Sequence, residues 1–295
     1  MNCLSIEKRS QIVSALIEGN SVRATVRMTG ACKDTVLKLL VDLGTACADY
    51  HNKHVRNLRP ARVQCDEIWN FCYAKAKNAP EDKIALGAGD VWTWIAIDAD
   101  TKLGISYLVG KRDALHASRL MQDLSSRITR RFQLTTDGHH VYLNAVENTF
   151  GSEIDYAMLV KVYGSAPETE TRYSPGRIIS TQLAVVTGKP DSKHVSTSYV
   201  ERQNLTIRMS MRRFTRLTNA FSKKLENLKH AVALHFMYYN FCRIHQTLRV
   251  TPAMEAGLAD HAWALEELCG LLPQADTGKH IDKALLLQAL SRRVS

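Results

Sequence analysis

The chain has 295 residues, of which 45% are apolar and 23% charged, an ordinary globular balance that excludes wholesale disorder, collagen-like repeats and a disulfide-stapled scaffold. Lys and Arg number 39 against 29 Asp and Glu, a net charge of +10. That excess points to a polyanionic partner, and nucleic acid is the first candidate.

The first segment reads as three short helices. Ser5 to Glu18 places Ile6, Ile12, Val13, Leu16 and Ile17 near helical spacing, and Gly19-Asn20 ends it. Ser21 caps a second helix, Val22 to Thr29, and Gly30-Ala31-Cys32 forms a tight turn. Lys33 to Leu43 is the third helix, with Val36, Leu37, Leu40 and Val41 turned inward and Gly44 as its stop. Helix, glycine turn and helix is a helix-turn-helix pattern. It would aim Lys33, Asp34, Thr35 and Lys38 at a DNA major groove. A plain helical hairpin is the other reading. Residues 51–62 (HNKHVRNLRPAR) read as a basic linker. Arg56 and Arg59 there could track phosphates, or the segment could be a solvated connector.

From Val63 the period changes from helix to strand. Val63–Ala74, Asp90–Asp98, Leu103–Val109 and Phe132–Thr136 read as strands, with a helix over Ala114–Arg130 capped by Asp113. A helix at about Val141–Phe150 and a strand at Met158–Tyr163 follow. Three successive strands, then helix, strand, helix and strand, make a mixed-sheet α/β pattern. Residues 164–197 hold Pro167, Pro175 and Pro190 and read as a long loop or small insertion. Ser198–Thr215 and Ser222–Phe241 read as helices, Thr251-Pro252 opens another, and Lys279–Arg293 is a last amphipathic helix. Trp92 and Trp94 read as core.

Seven cysteines include no C-x-x-C pair, so a structural zinc site is not expected. Free thiols such as Cys65 and Cys72 act as small hydrophobes and suit a reduced, cytoplasmic compartment. The N-terminus MNCLSIEKRS shows no signal-peptide pattern. The most apolar stretch, Ala231–Phe241, is too short to span a bilayer, so no membrane role is expected.

Three acids stand apart. Asp66 lies within an otherwise apolar strand, where a carboxylate is costly unless paired or bound to metal. Asp137 ends the fourth strand, before a glycine, where functional groups gather in α/β sheets. Glu201 opens a helix. Brought together, three carboxylates need cations, and two Mg²⁺ ions about 3.5–4 Å apart can clamp the attacking and leaving oxygens of a phosphodiester. Each acid also has a bland reading: Asp66 as an ion-paired strand residue with Glu67 as its rival, Asp137 as a helix cap, and Glu201 as a first-turn acid. His139 and His140 follow Asp137 and could orient a water or phosphate. Ten basic residues lie between 202 and 249 against one acid, Glu226, and would position a DNA backbone beside the acids.

The words CDEIWNF (65–71), TTDGHHVY (135–142) and YVERQNLTIRMSMRRFTRLTNAFSK (199–223) resemble those of the insertion-sequence DDE transposases, in the retroviral-integrase-like, RNase H-like superfamily. YNFCRIHQTLRVTPAMEAG (239–257) is similar to their closing helix-turn. The resemblance implies Asp66, Asp137 and Glu201 as catalytic and metal-binding acids. It implies two Mg²⁺ ions, with Mn²⁺ as a substitute, and an RNase H-like mixed sheet over 63–250. An all-α helix-turn-helix domain (1–50) would precede that sheet and C-terminal helices (251–295) would follow it. DNA contacts are expected from Lys33, Thr35, Lys38, Arg56, Arg59, Arg202, Asn204, Arg208, Arg212, Arg213 and Arg216. The implied partners are terminal inverted repeats and target DNA, bound by a homodimer or larger assembly in a bacterial, nucleoid-associated setting. The 63 residues between Asp137 and Glu201 would be accounted for by the 164–197 insertion. An RNase H-like nuclease that only cuts, and a catalytically inactive DNA-binding regulator, are the alternatives.

Overall fold

The computed structural model describes residues 4–164, 178–215 and 218–273. Helices α1 (Ile6–Ile17), α2 (Val22–Thr29) and α3 (Lys33–His54) come first, with Ser5 and Ser21 capping the first two through their hydroxyls. Strand β1 (Arg62–Cys72), the short helix α4 (Glu81–Ile84), β2 (Gly89–Asp98) and β3 (Gly104–Gly110) follow. Then come α5 (Ala114–Ser125), β4 (Gln133–Asp137), α6 (Val141–Phe150), β5 (Asp155–Tyr163) and β6 (Ile178–Thr187). Helices α7 (Ser198–Ser210), α8 (Leu225–Met237), α9 (Pro252–Glu255) and α10 (Leu265–Cys269) complete the described chain.

The strands form one sheet in the order β3-β2-β1-β4-β5-β6. β1, β2 and β3 are antiparallel neighbours, β4 and β5 run parallel to β1, and β6 returns antiparallel to β5. Helices flank this mixed α/β sheet, an arrangement compatible with an RNase H-like fold. Strand alternation decides which helix covers which face. Odd-numbered Glu67 of β1 and its β2 partner Trp94 meet Tyr142 of α6, and Ser106 of β3 meets Asp123 of α5. Even-numbered Gln64 and Asp66 meet α7, and Tyr107, which pairs with Ile95 opposite Asp66, stacks on Phe236 of α8 at 4.6 Å. So α5 and α6 cover one face, and α7 and α8 the other. Trp94, Tyr142, Tyr156 and Phe236 are fully buried between the layers.

Several boundaries differ from expectation. Helix α3 does not stop at Gly44 but runs on to His54. The glycine serves a close approach instead: a Cβ there would meet the backbone oxygen of His230 on α8 at 2.6 Å. Packing on α8 also turns the inward face, so Leu39 and Leu43 are buried while Leu37 and Val41 are half-buried. The expected basic linker is therefore helical over 51–54. Its remainder is pinned, with Val55 and Leu58 buried and Leu58 hydrogen-bonded to Arg127 and Thr129. That bridge also ends α5 at Ser125, short of Arg130. The expected loop or insertion over 164–197 contains a ten-residue strand, β6. Helix α7 ends at Ser210, before a 3-10 turn at Arg212–Phe214. Helix α8 begins at Leu225 and passes into a π turn at Tyr238–Cys242. Trp94 is core as expected, whereas Trp92 is only partly buried. The two helices around Gly30 are present, the glycine lying in the left-handed region at φ +67. The expected helix at Lys279–Arg293, Pro167 and Pro175 lie outside the described residues. No described helix is long and apolar enough to cross a membrane.

Candidate active site

The three acids come from β1, β4 and α7; the sheet topology sets the first two strands side by side, and α7 docks on β1. β1 and β4 run parallel with Cys65 opposite Thr136, and one step further Asp66 and Asp137 stand side by side as β4 ends. This is the carboxyl edge of two neighbouring parallel strands, where a crevice opens. Glu201 arrives on α7, and the sequence docks that helix in a specific way. Its N-cap, Thr197, makes no side-chain cap bond. Instead the buried Gln64 Oε1 accepts from the backbone N–H of Tyr199 at 2.9 Å and of Val200 at 3.1 Å. Two otherwise orphaned amides of the first turn are thereby satisfied by a β1 side chain. Gln64 and Asp66 share one face of β1, so this cap sets α7 over Asp66. One turn into the helix, Asn204 Nδ2 donates to Asp66 Oδ2 at 2.8 Å.

The Asp66 carboxyl is pushed up to about 7, first by burial and then by the negative charges of Glu67, Asp137 and Glu201, against a lowering hydrogen bond from the Glu67 amide. Carboxylates that repel one another in a half-dry site call for a cation. Protein cations already stand at its rim. Arg112 Nε binds Glu67 Oε1 at 2.5 Å and its Nη2 lies 3.8 Å from Asp137 Oδ2. Lys161 of β5 pairs with Glu201, which also accepts from the Thr197 hydroxyl.

Glu67 was expected as a rival to Asp66 and turns out to be a separate part of the site. Its side chain is buried on the opposite face of β1, held by Arg112 and by the Tyr142 hydroxyl at 3.0 Å, with His139 Nε2 4.0 Å away. Burial, followed by the charge of Asp137, raises its pKa. Burial, followed by Arg112, lowers that of His139, whose ring stacks over Trp94 at 6.3 Å. Gln64, Arg112, Tyr142 and Lys161 were not anticipated. Alternation puts Gln64 on the Asp66 face, which was a usable signal; nothing in the sequence marks Arg112 or Lys161.

The donor set bears on the expected Mg²⁺. Three carboxylates are hard oxygen ligands that suit magnesium, and Asn204 Oδ1 is buried beside Asp66 with no hydrogen-bond partner among the described residues. The residues therefore fit such an ion by chemistry. Among the described residues, however, no three His, Cys, Asp or Glu groups come close enough together to hold a metal. Glu201 is drawn toward Lys161 and Thr197 instead.

The expected DNA contacts divide. Lys33, Lys38, Arg59, Arg202 and Arg212 are exposed, although Lys38 pairs with Asp42 at 2.7 Å. Thr35 is half-buried with its hydroxyl 2.9 Å from Cys32 Sγ. Arg56 is spent on Asn52 and Ser126, Arg208 donates to Phe214 O at 3.4 Å, and Asn204 belongs to the acid site. Arg213 stands apart from these. Its guanidinium turns inward, donating to Ser222 Oγ at 2.8 Å, and burial lowers its pKa to about 10. Its Nη2 is buried without a partner among the described residues. Arg216 lies outside the described residues.

No protein-family model matches the chain, and no curated protein matches it in sequence. Among solved structures it is similar to piggyBac transposase, in a cryo-EM structure of the synaptic complex with hairpin DNA. The TM-score is 0.38 and the identity 11%, over 95% of this chain and 72% of that one. A likeness of that degree adds no weight to what the side chains themselves present.

Proposed function

We propose that the chain is a DDE-type DNA transposase whose acids are Asp66, Asp137 and Glu201. One arrangement supports the reading: the buried strand carboxylate Asp66 lies beside the strand-end carboxylate Asp137, and Asn204 of the helix that carries Glu201 is hydrogen-bonded to it; burial, then the charges of Glu67, Asp137 and Glu201, raise the Asp66 pKa. Such repulsion is a poor device for stability and a good one for attracting divalent cations. Two Mg²⁺ ions, or Mn²⁺ in their place, would be held by these three acids and would supply activation of the attacking oxygen and neutralisation of the leaving one.

The chain's own groups then have distinct tasks. Asn204 fixes the Asp66 carboxylate, and Gln64 fixes the helix that brings Asn204 and Glu201. Arg112 ties Asp137 to Glu67. Exposed Arg202 and Arg212 line the approach and meet phosphates. In the first step a water oxygen bonds to phosphorus at the element end, the P–O3′ bond breaks, and the strand leaves as a free 3′ hydroxyl. In the second step that hydroxyl attacks a target phosphodiester and displaces a target 3′ oxygen, which takes up the proton. Lys33, Thr35 and Lys38 at the start of α3 face the terminal inverted repeats, and a dimer or larger assembly joins two ends.

The test is incubation of the purified chain with its own flanking DNA, in Mg²⁺ or in EDTA, beside Asp66→Ala. The reading expects strand cleavage and joined product in Mg²⁺ alone, both lost in the variant. Cleavage without joining makes the protein a nuclease. DNA binding without either reaction, or cleavage unchanged in Asp66→Ala, overturns catalysis at these acids.

A further inference from the structure

Beyond the acids, strand β1 overhangs its neighbour: it is paired with β4 only up to Cys65 and runs on to Cys72. On this overhang Trp69 and Phe71 share the face of Glu67. Their ring centroids are 5.8 Å apart, and Phe221 stands 4.9 Å from Phe71. All three side chains are half-buried. Among the described residues none of them packs on the main hydrophobic core, which takes Trp94 and part of Trp92 on the same face. They form a separate aromatic cluster that leaves ring surface to solvent.

The end of the overhang supplies a cation. Tyr73, 39% exposed, lies in the left-handed region at φ +65, which bulky L residues rarely adopt. It is held there by its N–H donating to Ser222 O at 2.8 Å, and the Ala74 N–H donates back to Cys72 O at 2.7 Å. The reversal returns Lys75 over β1, with its Nζ 5.6 Å from the centroid of the Trp69 ring. Lys75 is exposed and pairs with no acid among the described residues. Asp90, opposite Phe71, is engaged by the Ala76 N–H at 3.0 Å.

We infer that Trp69, Phe71 and Phe221 are a stacking platform for unpaired bases of a DNA strand, with Lys75 on an adjoining phosphate. Chemistry selects this occupant. An apolar protein surface would bury the Lys75 ammonium without a partner, which is costly. A duplex keeps its base faces stacked inside, so the ligand is single-stranded. Rings beside a free cation match a strand that presents flat bases and phosphates in turn. The inference deepens the proposed function and rests on it for the source of the strand, the one whose phosphate enters the acid site. At ~3.3 Å per strand residue, Trp69 stands about 10 Å along β1 from Asp66, roughly three stacked bases at ~3.4 Å each. Arg112 spans the two, reaching Glu67 on the platform's face and Asp137 at the acids.

Binding is measured in EDTA, by anisotropy of a labelled strand and by quenching of tryptophan fluorescence. The native chain is expected to hold a short oligothymidylate at least tenfold more tightly than an abasic phosphodiester strand of the same length and charge, and to lose fluorescence only with the first. Trp69→Leu is expected to weaken thymidylate binding about tenfold and leave abasic binding unchanged, while Trp69→Phe keeps most of the affinity. The abasic comparison needs no variant, so it decides even if Trp69→Leu fails to fold. Equal affinity for the two strands overturns the inference, and so does Trp69→Leu holding thymidylate as tightly as the native chain. Metal-dependent cleavage without a base preference sinks the platform alone. A base preference without cleavage upholds the platform while the proposed reaction fails.

Discussion

Replacing Asp66 by Asn removes a charge that the folded chain resists. The carboxyl rises from its ordinary 3.8 to about 7, chiefly through burial and then through Glu67, Asp137 and Glu201. That interval spans roughly three pH units, and at ~1.4 kcal/mol each the cost of ionised Asp66 has a ceiling of about 4 kcal/mol. Part of this is returned by residual water contact, and the new amide must be accommodated. Asn204 can do so by turning over, since its buried Oδ1 has no partner among the described residues and would accept from the new Nδ2. A net stabilisation of ~1–2 kcal/mol is expected, or roughly 2–5 °C in melting temperature. The sign follows from a folded-state pKa above the unfolded one. The folded chain holds its proton longer, so the cost of Asp66 is complete above pH about 7 and fades as pH falls toward 4. Melting curves of both proteins in EDTA from pH 4.5 to 8.5 should diverge progressively above pH 5. A variant less stable at pH 8, or a difference that does not change with pH, would refute the reasoning.

Three further substitutions probe the scaffold. Gly44→Ala improves helix propensity by ~1 kcal/mol but drives a methyl into the His230 backbone, so a net loss of ~1–3 kcal/mol is expected in chemical denaturation. Gln64→Leu leaves two first-turn amides of α7 without their acceptor, which should cost ~1–3 kcal/mol and lower metal-dependent cleavage by more than DNA binding. Arg213→Met removes a buried, half-satisfied guanidinium; stability should stay level or rise, and the salt dependence of DNA binding should not change. A reduced salt slope would return Arg213 to the DNA interface.

What the sequence revealed tracks how local its causes are. The boundaries of α2 and α6 match their expected residues, and α1 and β1–β4 fall within about two positions, because caps, glycines and alternation act over a few residues. Asp66 was conspicuous as a carboxylate in an apolar strand, and Asp137 as one that ends a strand before a glycine. Errors arose where a distant partner decides. Gly44 looked like a stop until α8 supplied His230 as the reason for a small residue. β6 was hidden among prolines and serines, and its apolar residues point to both faces because nothing described covers it. Arg213 looked like one more phosphate ligand in a basic run, yet the fold turns it inward onto Ser222. Lys161 and Arg112 meet the acids only through the sheet order, which no local pattern encodes.

The central claim is that Asp66, Asp137 and Glu201 act as one divalent-cation site. Mn²⁺ binding, followed by water-proton relaxation on the native chain and on Asp66→Asn, Asp137→Asn and Glu201→Gln, tests it most directly. The account predicts saturable binding that each substitution weakens at least tenfold and that Mg²⁺ displaces. Binding left intact by all three would contradict it, and so would no saturable binding by the native chain.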